Sequence, residues 1–527
     1  MSDDLVSAVR DGYAFDGPAV ELGALVTEGT SHPDVHVRLP LSMMNRHGLV
    51  AGATGTGKTK TLQLMAEQLS AAGVPVFLAD IKGDVSGIAA PGATSERVTT
   101  RAKDVGLEWA ATAYPAEFYA LGGVGQGAAL RATMTSFGPV LLSKVLGLSD
   151  VQSSSLGLVF HFADKAGLPL LDLKDLRAVI THLTSEEGAA DLKELGGLAK
   201  STAGVLLREL VGFEDQGADA FFGEPEFDTA DLLRLAPDGR GVVSVLELPS
   251  VQDRPALFST FLMWLLADLF HDLPEVGDVD KPKLVFFFDE AHLLFRDASK
   301  EFLAAIAQTV RLIRSKGVGI FFVTQSPTDV PDEVLAQLGN RVQHALRAFT
   351  PADAKALKAT VSTFPRSGYD LDELLPALGI GEAVVTVLSE SGSPTPVART
   401  RLQPPRSLMG PLEPTAFAAA VAASPIAAEY AVAVDRDSAY ERLLAKVAPE
   451  PATEREEPPA PEPPREQPRE PHEERRPEQH EQSALGGILG SSVFRSFARS
   501  AASAAGREIA RSLFGTAPRR RRTTRRR

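Results

Sequence analysis

The run Gly52-Ala53-Thr54-Gly55-Thr56-Gly57-Lys58-Thr59 constrains this chain more than any other feature, because it fits G-x-x-x-x-G-K-[ST] and has the flanks that pattern needs. Leu49-Val50-Ala51 before it reads as the end of a buried strand, and Thr61 to Ala71 after it has helical spacing. Such a strand–loop–helix unit cradles a polyphosphate. Glycines let backbone N–H groups turn inward toward phosphate oxygens, and the helix N-terminus adds partial positive charge. Lys58 is placed to reach the β- and γ-phosphates, and the Thr59 hydroxyl to sit on Mg2+. The expectation is a chain that binds a nucleoside triphosphate.

A second motif supplies chemistry. Leu284-Val285-Phe286-Phe287-Phe288 is a buried strand by composition, and it delivers Asp289-Glu290 to its carboxyl end. Asp289 there can hold Mg2+ through water, and Glu290 can polarise an attacking water. A carboxylate at 290 favours hydrolysis over binding alone. Thr324-Gln325 ends another apolar strand, where Gln325 can sense the γ-phosphate or orient water. Asp80-Ile81-Lys82-Gly83-Asp84 ends the strand after the loop's helix; its carboxylates face the same crevice or simply form a turn. Arg311 and Arg314 lie on a helix over Leu303–Ser315, either as a solvated face or as a finger reaching a neighbour's γ-phosphate. His292 is read as an ordinary packed histidine.

Composition narrows the setting. At 527 residues there is room for two or three domains, and with no cysteine there are no disulfides, thiolate metal sites or cysteine nucleophiles. The acidic start, Met1-Ser2-Asp3-Asp4, is unlike a signal peptide, and the apolar stretch Pro255 to Leu273 holds Asp268, His271 and Asp272. We therefore expect a buried core helix there, no membrane span, and a cytoplasmic protein. The formal charge of −14 conceals seven arginines in Arg519–Arg527, whose removal leaves −21 on the rest. That tells against nonspecific coating of a polyanion, though not against a locally basic pore or tail.

Along the chain, residues 1–127 hold short strands and the phosphate loop, followed by the strand Val74–Asp80. Residues 128–235 read as an all-helical insertion, with helices expected over Pro139–Leu148, Val151–Ala166, Leu173–Leu183 and Leu192–Leu210. Strands return in residues 236–415, at Gly241–Leu248, Lys283–Phe288, Gly319–Thr324, Val342–Ala348 and Ala383–Leu388. Strand and helix alternating in this way make an α/β protein with a parallel sheet covered on both faces. Residues 416–447 read as a helical extension, and 448–482, dense in Pro, Glu and Arg, as a disordered linker. Residues 483–527 combine an amphipathic helix, suited to docking or self-association, with the arginine tail.

Taken together, Gly52–Thr59, Asp80–Asp84, Phe286–His292 and Arg314-Ser315-Lys316-Gly317 leading to Thr324-Gln325 resemble the HerA/FtsK superfamily of ring-forming P-loop ATPases. Lys281–Phe295 and Leu338–Pro351 are similar to the bacterial YjgR-like group of HerA-like ATPases. The resemblance covers about residues 1 to 415. It implies a RecA/FtsK-like P-loop NTPase fold, ATP and Mg2+ as ligands, and a homohexameric ring. Lys58, Thr59, Asp289, Glu290 and Gln325 would then act in one subunit, and Arg314 in trans. Duplex DNA is the track the resemblance implies; an ATPase that remodels or pumps protein, and a nucleotide-gated scaffold, are the alternatives. HerA carries an N-terminal β-barrel that engages the nuclease NurA. About 45 residues before the loop are too few for it, so a nuclease partner is not expected.

Overall fold

A computed structural model describes residues 2–447, apart from Leu195, Asp278, Asp297 and Ser299. Its apolar runs become neighbours in one twelve-stranded sheet among the described residues. The strands are β1 (Ala19–Thr27), β2 (Thr30–Pro40), β3 (Gly48–Ala51), β4 (Val76–Asp80), β5 (Ala116–Leu121), β6 (Ala128–Leu130), β7 (Val243–Glu247), β8 (Leu284–Phe288), β9 (Val318–Thr324), β10 (Asn340–Gln343), β11 (Glu382–Thr386) and β12 (Ala398–Leu402). In space they run β2-β1-β12-β11-β10-β3-β9-β8-β4-β7-β5-β6. Every pair from β10 to β6 is parallel.

The strands on the other side of β10 depart from the all-parallel sheet that strand–helix alternation predicts. β2, β1, β12, β11 and β10 pair antiparallel. For β1 and β2 the reason is connection length. β1 and β2 are joined by Glu28-Gly29 alone, with φ of 52° and 82°, a two-residue hairpin turn of the kind that joins antiparallel strands. A parallel pair needs a crossover of a dozen residues or more.

The buried phenylalanines show how the sheet is covered. Phe286 and Phe288 face one core with Phe77 and Phe322, while Phe287 between them faces the other with Phe321. This is the period of two expected of a strand, doubled because both faces are covered. Each buried phenylalanine contributes roughly 2–3 kcal/mol. The first face is closed by the helix Pro255–Asp272, through Phe261, Trp264 and Leu265, and by Lys300–Ile313. The second is closed by Lys58–Ala71, through Leu62, Met65 and Leu69.

Residues 128–235 are less uniformly helical than their spacing suggests. The segment opens with β6, which joins the sheet edge, and then forms the helices Met134–Val145, Asp150–Lys165, Leu173–Thr184, Ala189–Glu194 and Lys200–Asp215. The single helix expected over Leu192–Leu210 is two, because Gly196 and Gly197 (φ 92° and 93°) interrupt it. These helices share the first core: Leu156, Val179 and Leu206 lie in it with Phe286. The chain also starts with a helix, Ser2–Gly12, ahead of the strands expected there. After β12, the helices Pro414–Ala423, Pro425–Tyr430 and Ala439–Val447 follow. The expected linker (448–482), amphipathic helix and arginine tail (483–527) lie outside the described residues. No helix among the described residues is long and apolar enough to cross a membrane.

Candidate active site

Parallel strands place their carboxyl ends on one edge of the sheet, and the sequence motifs follow β3, β8, β9 and β4 there. The loop after β3 hangs between its neighbours. Gly52 N donates to Thr324 O at the end of β9 (3.2 Å), Ala53 N to Ala345 O beyond β10 (2.8 Å), and Gly381 N to Thr56 O (3.0 Å). Gly52 is required on two grounds: its φ is 152°, and an added Cβ would lie 2.5 Å from His344 Cβ. The strand β10 ends sooner than the expected Val342–Ala348 because His344 and Ala345 turn aside to hold this loop; His344 N donates to Ala51 O (2.7 Å).

Gly57, with φ of 114°, ends the loop and starts the helix Lys58–Ala71 with no side-chain cap. Its first N–H groups therefore have no side-chain acceptor, as anion binding at a helix N-terminus requires. Lys58 is buried, and its Nζ donates back to Gly52 O (2.7 Å) and Ala53 O (3.2 Å) across the loop. Burial pushes its pKa down, against the pull of Glu290 and Asp289. Thr59 is half-buried in the helix's first turn.

Asp289 and Glu290 follow β8, next to β4 on one side and β9 on the other. Asp289 is 1 % exposed, and neither carboxylate oxygen has a hydrogen-bond partner. Burial raises its pKa to about 7; Lys82 opposes the shift, and Glu290 and Asp80 add to it. Two buried orphaned oxygens beside a hydroxyl-bearing loop are a hard-oxygen donor set, which fits Mg2+. Among the described residues no cluster of three or more His, Cys, Asp or Glu makes a closed metal cage. Thr59 and Asp289 would thus share the cation with phosphate oxygens, as Mg2+ sites commonly do.

Glu290 has φ of 46°, a left-handed backbone uncommon outside glycine. Burial alone would raise its pKa, but the paired Lys82 ammonium, Gln325 and His292 outweigh that and hold it below the usual carboxylate value. Lys82 Nζ pairs with Glu290 Oε1. Gln325 Nε2 donates to Oε2 (3.4 Å), and His292 Nδ1 lies 3.2 Å from the same oxygen. Gln325 is exposed and lines an open cleft of about 670 Å³ with His292, Phe295, Arg296 and Asp329.

Asp80 and Arg314 lie at opposite edges of the sheet. Asp80 forms the turn: its carboxylate accepts from the N–H groups of Lys82 (3.2 Å), Gly83 (2.8 Å) and Val85 (2.8 Å). Arg314 lies in the short turn Arg314–Lys316 before β9, close enough to lower the pKa of His47, which precedes β3. It is therefore at the opposite end of the seven-residue β9 from Gln325, about 20 Å away at ~3.3 Å per residue. The structure thus brings Lys58, Thr59, Asp289, Glu290 and Gln325 to one edge and leaves Arg314 at the other.

Sequence reasoning missed Lys82, which it quoted only as part of a turn, and His344. The His344 ring is fully buried under the phosphate loop, and its Nε2 meets Thr61 Oγ1 (2.9 Å). The polar pair Gln343-His344 gave no distinct signal, because the strand before it also carries Asn340 and Arg341.

A family model described as helicase HerA-like C-terminal matches residues 26–522. The chain is 22% identical over 383 residues to the DNA double-strand break repair helicase HerA of Sulfurisphaera tokodaii, covering 69% of this chain and 68% of that protein. It is 31% identical over 153 residues to a probable helicase of Methanocaldococcus jannaschii, covering 27% of this chain and 28% of that one. Among solved structures, the bacterial conjugative coupling protein TrwBdeltaN70 is similar in fold, with a TM-score of 0.51 at 15% identity over 77% of this chain and 94% of that one. The chain therefore spans about two thirds of that HerA helicase and about a quarter of the archaeal probable helicase.

Proposed function

Because the chain belongs to the helicase HerA-like C-terminal family and is a P-loop ATPase of the HerA/FtsK type, we propose that it hydrolyses ATP with Mg2+ to drive movement along duplex DNA as a homohexameric ring. Within the family we place it with the bacterial YjgR-like group, on Lys281–Phe295 and Leu338–Pro351. The observation that carries the reading is the meeting of Lys58 and the Asp289–Glu290 pair at one edge of the sheet, with both Asp289 oxygens unpartnered.

In this reading the loop N–H groups and Lys58 bind the triphosphate, and Thr59 and Asp289 hold Mg2+, which neutralises charge on the phosphates. Glu290 accepts a proton from a water whose oxygen bonds to the γ-phosphorus while the bond to the β–γ bridging oxygen breaks and ADP leaves; Gln325 orients that water. The distance from Arg314 to Gln325 within one subunit suits an arginine that acts across a boundary. Duplex DNA is supported by the HerA relative, named for double-strand break repair, and by the arginines at 519–527, whose charge suits backbone phosphates. The charge of −21 outside that tail favours a second reading, in which the motor works on protein and ignores DNA.

Glu290→Gln tests the hydrolytic assignment. The variant should bind ATP as tightly as wild type and hold it without turnover, since only the water-activating carboxylate has gone. Wild-type turnover by purified Glu290→Gln would remove Glu290 from the mechanism.

A further inference from the structure

Glu290 is gripped from both sides. In the sheet order β9-β8-β4 it follows the middle strand. One carboxylate oxygen pairs with Lys82, two residues past β4, and the other accepts from Gln325, the residue after β9. We propose that Lys82 is a positioning residue for hydrolysis, the stronger half of a two-sided clip that aims the Glu290 carboxylate at the attacking water. The inference rests on the reading that Glu290 activates that water.

Three observations carry it. First, the backbone of Glu290 is left-handed, a strained conformation for a residue with a side chain that persists only where its surroundings hold it. Second, the two grips are unequal. The Gln325 contact is long, at 3.4 Å, and Gln325 is exposed, whereas Lys82 makes a charge-assisted bond to a side chain only 8% exposed. An ion pair with one partner buried is unlike the exposed pairs that contribute almost nothing. Third, Lys82 stands on a fixed base, because Asp80 accepts from the backbone N–H groups of Lys82, Gly83 and Val85.

The neighbourhood explains why a cation is needed at that position. The adjacent strands β7, β4 and β8 end at Glu247, Asp80 and the Asp289–Glu290 pair, with Asp84 close by. Lys60 lies near Asp84 and Asp80, and Lys82 is the lysine paired with Glu290, where it offsets the like charge of the neighbouring carboxylates. Both Lys82 and Glu290 act on Lys58 in the same crevice.

Full-length Lys82→Met and Lys82→Arg proteins test this against wild type and Glu290→Gln, with ATPase turnover and fluorescent-ATP binding measured separately. Misplacing a reacting group by about 1 Å costs up to ~10²-fold in rate. Lys82→Met should lose roughly 10- to 100-fold in kcat while nucleotide affinity stays within about threefold, and Lys82→Arg should recover much of the loss. Adding Lys82→Met to Glu290→Gln should leave nucleotide affinity within about threefold of Glu290→Gln alone, because both changes disable one hydrolytic unit and spare the phosphate site. Unchanged or raised kcat in Lys82→Met would overturn the inference. So would a loss confined to nucleotide affinity, which would make Lys82 a phosphate ligand, or a loss of nucleotide affinity when Lys82→Met is added to Glu290→Gln. If Lys82→Met fails to fold, Lys82→Arg and the double-variant comparison on Lys82→Gln decide the matter by the same criteria. An inactive Glu290→Gln beside a fully active Lys82→Met sinks this inference alone; an active Glu290→Gln sinks the hydrolytic reading beneath it.

Discussion

Glu67 is a carboxylate that the phosphate-loop helix buries to 1 % exposure, and with Gln63, which donates to Ser407 Oγ and Leu408 O, it tethers that helix to the chain beyond β12. It accepts from Arg406 N (2.8 Å), Ser407 N (2.9 Å) and the Ser407 hydroxyl. Glu67→Ala strips the acceptor from all three donors. Hydrogen bonds to a charged group contribute about 1.5–3 kcal/mol each, so the gross loss is roughly 5–9 kcal/mol. Part of that returns, because burial raises the Glu67 pKa despite those bonds, and removing a costly buried carboxylate relieves the helix. A net loss of about 2–3 kcal/mol remains, near the upper end for one substitution. At roughly 2–4 °C per kcal/mol for domains of 150–250 residues, and less for larger ones, the melting temperature should fall about 3–6 °C. Scanning fluorimetry of the full-length chain measures this, and Glu67→Gln, which keeps one acceptor oxygen, should fall between. If Glu67→Ala melted within a degree of wild type, the 406–408 segment would not be holding the helix and the reasoning would fail.

The buried histidines predict acid sensitivity. Burial holds His47 at about 4 and His344 at about 3, with Lys58 adding to the shift at His344. Each binds a proton near 6.5 when unfolded but not when folded, so its stability contribution is whole above pH 6.5. It is lost as pH falls toward 4, at up to ~1.4 kcal/mol per unit per histidine. His344→Gln should therefore flatten the urea-midpoint slope between pH 6 and 4, and an unchanged slope would contradict the assignment. Arg314→Ala and Glu290→Gln should each be inactive alone, yet a mixture should recover some ATPase, because some interfaces then pair an intact arginine with an intact glutamate. No recovery at any ratio, or a fully active monomer at high dilution, would refute action in trans.

What the sequence made legible was whatever lay within one local run. β8 and β9 could be read as buried strands because their apolar runs are too short for a buried helix and suit a sheet covered on both faces. The acids and amide at their ends could be placed on one edge once those strands were taken as parallel. The antiparallel edge was hidden, since the Glu28-Gly29 turn lacks the Asn-Gly or Asp-Gly signature and β12 alternates arginines with small residues. Lys82 escaped notice because its partner is 208 residues away and a lysine in a Gly-Asp turn looks like solvent-facing polarity. His344 escaped for the same reason: its place under the loop depends on β10 lying beside β3, which no local pattern reveals.

The proposal of a DNA motor stands or falls on ATPase turnover of the full-length protein, measured at low salt with and without duplex DNA, with Glu290→Gln as the background. Turnover should rise on adding duplex, and the rise should disappear as salt displaces phosphate contacts. Equal turnover with and without duplex at low salt, above an inactive Glu290→Gln background, would leave an ATPase whose track is not DNA.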